Sequence, residues 1–257
     1  MKPFILNYQG SKYKESKELK DFDYSKYDTI IEVFGGSFGF IRYLYFDLKL
    51  TNKKYIVYDN DIELINFFNY LKDLDDDDRK TFVEEYNKIN QDILEECCNG
   101  KDKTQLHRKK TINYINEFID EPFMKWLINH NIFSAGIITR VAFKHNTDLS
   151  VFDNITFIHQ SIKDLDLENV SNSTLLYLDP PYLFESNSFY KDDNNVNMDS
   201  LFSSLIKIFE YKTGSVLFIH SFNDILNYIF GKWELKTYTK RFGVSGKIKN
   251  HSVYMKL

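Results

Sequence analysis

The sequence predicts an α/β fold: a mainly parallel sheet with helices, finished by a C-terminal antiparallel hairpin and interrupted by a mainly helical insertion. Three observations predict it. Short apolar runs that read as buried strands stand at 29–34, 55–58, 155–158, 174–178 and 215–220. Between the first two, apolar residues recur at helical spacing, which makes a β-α-β unit. From about residue 67 to 146 there is hardly a strand, whereas helical patterns are frequent.

The elements follow in order. "TIIEVF" (29–34) and "YIVY" (55–58) flank Phe38, Ile41, Leu44, Tyr45 and Leu48, which share one helix face. Phe82, Val83, Tyr86, Ile89, Ile93 and Leu94 mark an amphipathic helix. Ile112, Ile115, Phe118 and Ile119 mark a second, and Phe123, Trp126 and Leu127 a third. Strands return at "ITFI" (155–158), "TLLYL" (174–178) and "SVLFIH" (215–220), with the helix "MDSLFSSLIKIFE" (198–210) before the last. Ser200 suits the cap at the start of that helix, although Asp199 fits the preceding turn as well. "KWELKTYTKRF" and "HSVYMKL" alternate as strands, and Gly243 and Gly246 between them predict a hairpin. The chain therefore divides into one α/β domain from 1–66 and 147–257 and a helical insertion from 67–146.

Bulk composition narrows the class. With 43% apolar and 27% charged residues, the chain reads as an ordinary soluble globular protein. Cys97 and Cys98 are its only cysteines and are adjacent, which argues against a disulfide framework and for a reducing, cytoplasmic setting. The His residues show no H-x-x-x-H or Cys/His spacing, so no metal is expected. No 18-residue apolar stretch occurs, and "MKPFILNYQGSKYK" has too short an apolar run for a signal peptide, so no membrane partner is expected. The net charge of −4 does not advertise nucleic acid, but it is uneven. "DLDDDD" (73–78) is acidic, "GKDKTQLHRKK" (100–110) is basic, and from Phe230 onward seven Lys/Arg face Glu234 alone. Such runs are either solvated faces or phosphate-binding surfaces.

Three motifs carry chemistry. In "IEVFGGSFGF", Gly35, Gly36 and Gly39 follow a strand and open a helix, where backbone can approach a ligand. The spacing is not G-x-G-x-x-G, so a pyrophosphate site is not the natural inference. In "VYDNDIEL", Asp59 ends the next strand, 23 residues after Gly36. An acid at about that spacing accepts from ribose hydroxyls in doubly wound folds, although Asp59 or Asp61 could equally cap the helix near Ile62. In "LLYLDPPYLF", Asp179 and the Pro180 carbonyl form a rigid row of acceptors, and Tyr182 supplies a ring to stack. Such a row suits a ring-conjugated amine, whose delocalised lone pair must be localised before it can attack.

Asp-Pro-Pro-Tyr after an apolar strand resembles the catalytic motif of the S-adenosylmethionine-dependent amino-methyltransferases. The order of segments resembles the Dam-type DNA N6-adenine methyltransferases: a leading "LNYQGSKYK", an F-x-G loop, a strand-end acid, a helical insertion, then DPPY. The resemblance implies a Rossmann-like methyltransferase sheet, S-adenosyl-L-methionine as cofactor, double-stranded DNA as partner, and target recognition by the insertion. Residue by residue, it implies that Tyr8 and Lys12 help enclose the cofactor and that Phe34 and Gly36 lie beside its methionine part. Asp59 holds the ribose, and Ser161 and Ile162 pack the adenine. Asp179, Pro180, Pro181 and Tyr182 hold a flipped target base, with Asp179 also bordering the cofactor. Arg140 falls where the family's recognition hairpin presents an arginine to DNA. Lys240 and Arg241, in the basic tail, are the expected phosphate contacts.

The match has departures. After Arg140, "VAFKHNTDLSVFDN" has neither the asparagine- and glycine-bearing turn nor the P-F-G-like segment, so a GATC target is not carried over. Two other readings stay open: an amino-methyltransferase acting on RNA adenine or guanine, and a non-catalytic DNA-binding subunit with the same fold. The target site and the oligomeric state are not legible.

Overall fold

The computed structural model describes Leu6 and residues 12–97, 108–133, 148–165, 170–180, 198–211, 214–241 and 248–257. The described chain opens with β1 (Thr29–Val33), α1 (Gly39–Phe46), β2 (Lys54–Asp59) and α2 (Ile62–Asp73). Three helices follow: α3 (Asp76–Cys97), α4 (Arg108–Phe118) and α5 (Pro122–Phe133). The sheet resumes with β3 (Ile155–His159), β4 (Thr174–Leu178), α6 (Met198–Tyr211), β5 (Ser215–Ser221), α7 (Asp224–Phe230), β6 (Glu234–Arg241) and β7 (Ile248–Lys256). The five strands foreseen as buried runs and the two of the terminal hairpin are all present. The short helix α7, capped by the Asn223 side chain, is one that the apolar periodicity did not reveal.

The strands order as β3-β2-β1-β4-β5-β7-β6. β1 to β5 run parallel, and β7 enters antiparallel between β5 and β6. This is a doubly wound sheet finished by an antiparallel hairpin. Helices cover both faces, which explains the near-continuous apolar runs of β4 and β5: every residue of each is buried. On one face Ile30, Tyr55, Val57, Leu175 and Tyr177 pack with α1 and α2. On the other, Ile31, Val33, Leu176, Leu178 and Phe218 meet Leu205 and Phe209 of α6 and Leu226 and Phe230 of α7.

Helix α2 runs across the division expected after residue 66, and it serves two cores at once. Phe68 packs against Phe38, Phe152 and Phe157 above the sheet. Its neighbour Phe67 packs against Phe82 of α3 and against Phe123 and Trp126 of α5. The apolar interior of α3–α5 is therefore continuous with that of the sheet. Arg79 fixes the junction. Its guanidinium donates to the Leu71 and Lys72 carbonyls, at 2.9 and 2.8 Å, near the C-terminus of α2, and pairs with Asp153 at 2.7 Å. Those carbonyls carry the negative end of the helix dipole, so a buried cation suits the position. Among the described residues, no helix is long and apolar enough to cross a membrane.

Candidate functional site

Parallel strands bring their following residues to one edge of the sheet. Val33 pairs in register with Tyr58 and with Leu178, and Asp59 with His159. Phe34, Asp59, the Gln160–Ser161 turn and Asp179 thus lie side by side at the C-terminal ends of β1, β2, β3 and β4. Helix α1, which follows β1, packs on one face of the sheet, whereas α6, the next described helix after β4, packs on the other. Open α/β sheets bind ligands in the crevice that such a reversal leaves.

The loop after β1 is drawn across this edge. Phe34, Gly36 and Phe38 have φ of 62°, 47° and 39°, all left-handed. Gly35 donates its N–H to the Tyr58 carbonyl at 2.9 Å, and a Cβ there would stand 2.2 Å from Val57 Cγ1. Only glycine lets the loop lie this close to β2. Gly36 then donates its N–H to Asp59 Oδ2 at 2.8 Å, while Asp61 N–H donates to Asp59 Oδ1 at 2.9 Å. Burial pushes the Asp59 carboxyl up, and the two N–H groups oppose that shift. A carboxylate has about four lone-pair sites, so two N–H donors leave it able to accept from a diol. The two acids of "DND" have separate roles: Asp61 is the helix cap, accepting from Leu64 N–H at 3.1 Å, and Asp59 ties the glycine loop to the strand end.

Beside Asp59, Ser161 caps a short 3₁₀ turn (162–164) by accepting from Lys163 N–H, and the Gln160 N–H donates to the Asp59 carbonyl. Half-buried Phe34, Tyr58 and Ile162 pack on the same apolar layer, at the sheet edge where β2 ends on Asp59.

Asp179 lies at the end of β4, followed by buried Pro180. Lys12 Nζ is 3.1 Å from Asp179 Oδ1 and 3.5 Å from Glu15 Oε2, and these side chains are 7–11% exposed. Tyr238 of β6 donates its hydroxyl to the same Glu15 oxygen at 3.0 Å. An unbroken polar row thus runs Asp179, Lys12, Glu15, Tyr238. In low dielectric such a row is strongly coupled.

Glu32, a carboxylate inside the apolar strand β1, accepts from Phe40 N–H at 3.3 Å and Ile41 N–H at 2.9 Å. It caps α1 from the preceding strand, since the local cap position is Phe38, which has no polar side chain. Burial raises its carboxyl to about 8; the two N–H groups oppose this, and the nearby Asp179 charge adds to it. Arg42, whose guanidinium lies 5.0 Å from the centre of the Tyr13 ring, is a nearby cation that opposes the rise.

Of the residues singled out from sequence, Lys12, Phe34, Gly36, Asp59, Ser161, Ile162, Asp179 and Pro180 fall within the described chain. The structure brings Phe34, Gly36, Asp59, Ser161, Ile162 and Asp179 to one edge, and it seats Lys12 on Asp179. Tyr8, Pro181, Tyr182 and Arg140 lie outside the described residues, as do the side chains of Lys240 and Arg241, whose backbone belongs to β6. Glu15, Glu32 and Tyr238 were missed. Glu32 had a signal, an acid within "TIIEVF"; Glu15 and Tyr238 are 223 residues apart and have none. Among the described residues, no three His, Cys, Asp or Glu side chains gather to hold a metal ion.

The chain is similar to two solved structures. One is the methyltransferase domain of bacterial CtHen1-CN, at 8% identity and a TM-score of 0.38 over 95% of this chain and 97% of that one. The other is an S-adenosylmethionine-dependent methyltransferase from Aquifex aeolicus, at 10% identity and a TM-score of 0.36 over 98% and 100%. No protein-family model and no curated protein matches the chain. The fold assignment rests on the strand order and register described above.

Proposed function

We propose that this protein is an S-adenosyl-L-methionine-dependent DNA methyltransferase acting on the N6 amino group of adenine. The observation that carries the reading is the shared edge: the Gly36–Asp59 contact and Asp179 stand at the ends of adjacent strands, so one crevice serves cofactor and target. The residues present fit the cofactor. Asp59 retains acceptor capacity for a ribose diol, and Phe34, Tyr58 and Ile162 offer an apolar wall for adenine. When bound, the cofactor supplies a methyl group on a sulfonium, open to an aligned nucleophile.

The chain's own part is then positioning and electrostatics. Asp179 and the Pro180 carbonyl accept from the target amine and localise its lone pair. Pro180, with its fixed φ, keeps that carbonyl in place. Lys12 pairs with Asp179 and fixes its position. Tyr182 stacks on the extruded base, offsetting an unstacking cost of a few kcal/mol. Helices α3–α5 supply target recognition together with Arg140, and Lys240 and Arg241 contact phosphates.

The test is methyl transfer from labelled cofactor to duplex DNA and to RNA, presented side by side. Incorporation into adenine of DNA, lost at least about a thousand-fold in Asp179→Ala while cofactor binding persists, is the expected result. Incorporation into RNA alone would replace the substrate. Undiminished transfer by Asp179→Ala would overturn the mechanism.

A further inference from the structure

Strand β6 reaches the candidate catalytic acid without touching it. Tyr238 donates to Glu15 at 3.0 Å, Glu15 stands 3.5 Å from Lys12, and Lys12 stands 3.1 Å from Asp179. A second contact repeats the connection: Lys236 of β6 donates to the Glu18 carbonyl and pairs with the Glu18 carboxylate at 3.4 Å. The 3₁₀ turn at Glu15–Leu19 is thereby clamped to β6 at two points, on the segment that carries Lys12. We infer that Tyr238 and Glu15 are positioning residues for Asp179, acting through Lys12. The inference rests on the reading of Asp179 as acceptor of the target amine.

The chemistry follows from sharing one cation between two acids. If Lys12 were given wholly to Asp179, it would draw charge from the oxygen that must accept the amine. Glu15 takes part of the ammonium, and the Tyr238 hydroxyl limits how much it takes. Burial and the Glu15 charge both push the Tyr238 phenol upward, so it stays a donor throughout the working range. Among the described residues, the charged and titratable groups facing Asp179 are Lys12 from the N-terminal segment, Glu32 from β1 and Tyr177 from β4. Glu15 and Tyr238 stand behind them, and Arg42 faces Glu32.

Substituting Glu15 and substituting Tyr238 then have opposite effects. Glu15→Gln hands Lys12 to Asp179 and lowers the pH at which that carboxyl titrates. Tyr238→Phe strengthens the Glu15 claim on Lys12 and raises it. Tyr238→Phe removes one oxygen and leaves the ring stacked on His251 at 5.3 Å, so it keeps the test available if Glu15→Gln does not fold. The measurement is a carbon-detected NMR titration of the Asp179 carboxylate in the full chain, with kcat and KM for methyl transfer recorded alongside.

Displacements of about 0.5 unit in opposite directions are expected. A roughly 3- to 10-fold lower kcat for Glu15→Gln at unchanged KM should accompany them. Displacements of the same sign, or midpoints within about 0.1 unit of wild type, overturn the inference. Wild-type transfer with unmoved midpoints would leave the reading of Asp179 intact while the linkage fails. Opposite displacements in a protein that transfers no methyl group would keep the linkage and end the catalytic reading.

Discussion

Lys12 Nζ lies 3.1 Å from Asp179 Oδ1, with both side chains almost wholly buried and 167 positions of chain between them. The ammonium also serves Glu15, so one cation stabilises two acids. Lys12→Met should therefore destabilise more than Asp179→Asn. The first takes from two buried carboxylates the cation that both contact, a loss of about 3–5 kcal/mol. The second leaves Lys12 its Glu15 partner, a loss of about 1–2 kcal/mol. Urea unfolding of both variants checks the order, and equal losses would mean that Glu15 does not share the ammonium.

Glu32 makes stability depend on pH. Its carboxyl is raised from 4.5 to about 8, so the folded chain keeps a proton that the unfolded chain has released. Folding takes up that proton across the interval, and stability falls as pH rises from about 4.5 to about 8. The slope approaches about 1.4 kcal/mol per pH unit. Glu32→Gln keeps one acceptor for the α1 N-terminus and cannot ionise. Its denaturation midpoints should be flatter than wild type over this window, with its relative stability greatest near the upper end.

Gly35→Ala should destabilise by about 1–3 kcal/mol, because the new methyl group meets Val57. The effect should shrink when Val57 is already alanine, which vacates the contested space. A double-mutant cycle measures this coupling. An additive result would place the strain elsewhere in the loop.

Arg79→Met should cost about 1–3 kcal/mol, since it takes the guanidinium from two carbonyls near the end of α2. Asp153 is 54% exposed, so Asp153→Asn should cost no more than about 1 kcal/mol. Hydrogen exchange should show faster opening of the α2–α3 junction in the first variant and near-wild-type protection in the second.

The sheet was largely legible because its central strands β4 and β5 are buried on both faces: "TLLYL" and "SVLFIH" cannot be mistaken for solvated chain. The candidate site was legible where a backbone need wrote a local pattern, as the glycines do beside Asp59. It was not legible where distant segments meet. Glu15 and Tyr238 share one hydrogen bond across the whole fold, and nothing near either predicts the other. Glu32 was visible as an odd acid, but only the packing of α1 onto β1 shows that it caps a helix. The continuity of the α2–α5 interior was hidden for the same reason. Periodicity marks an apolar face without naming what covers it.

The interleaved hairpin sets a condition on biosynthesis. Because β7 lies between β5 and β6, the open edge of β5 waits for residues 248–256 to emerge from the ribosome, although β6 is made earlier. Until then β6 has no partner in its final place, and the backbone edge of β5 is left bare. A chain truncated after residue 241 should therefore be more prone to aggregate than the full chain.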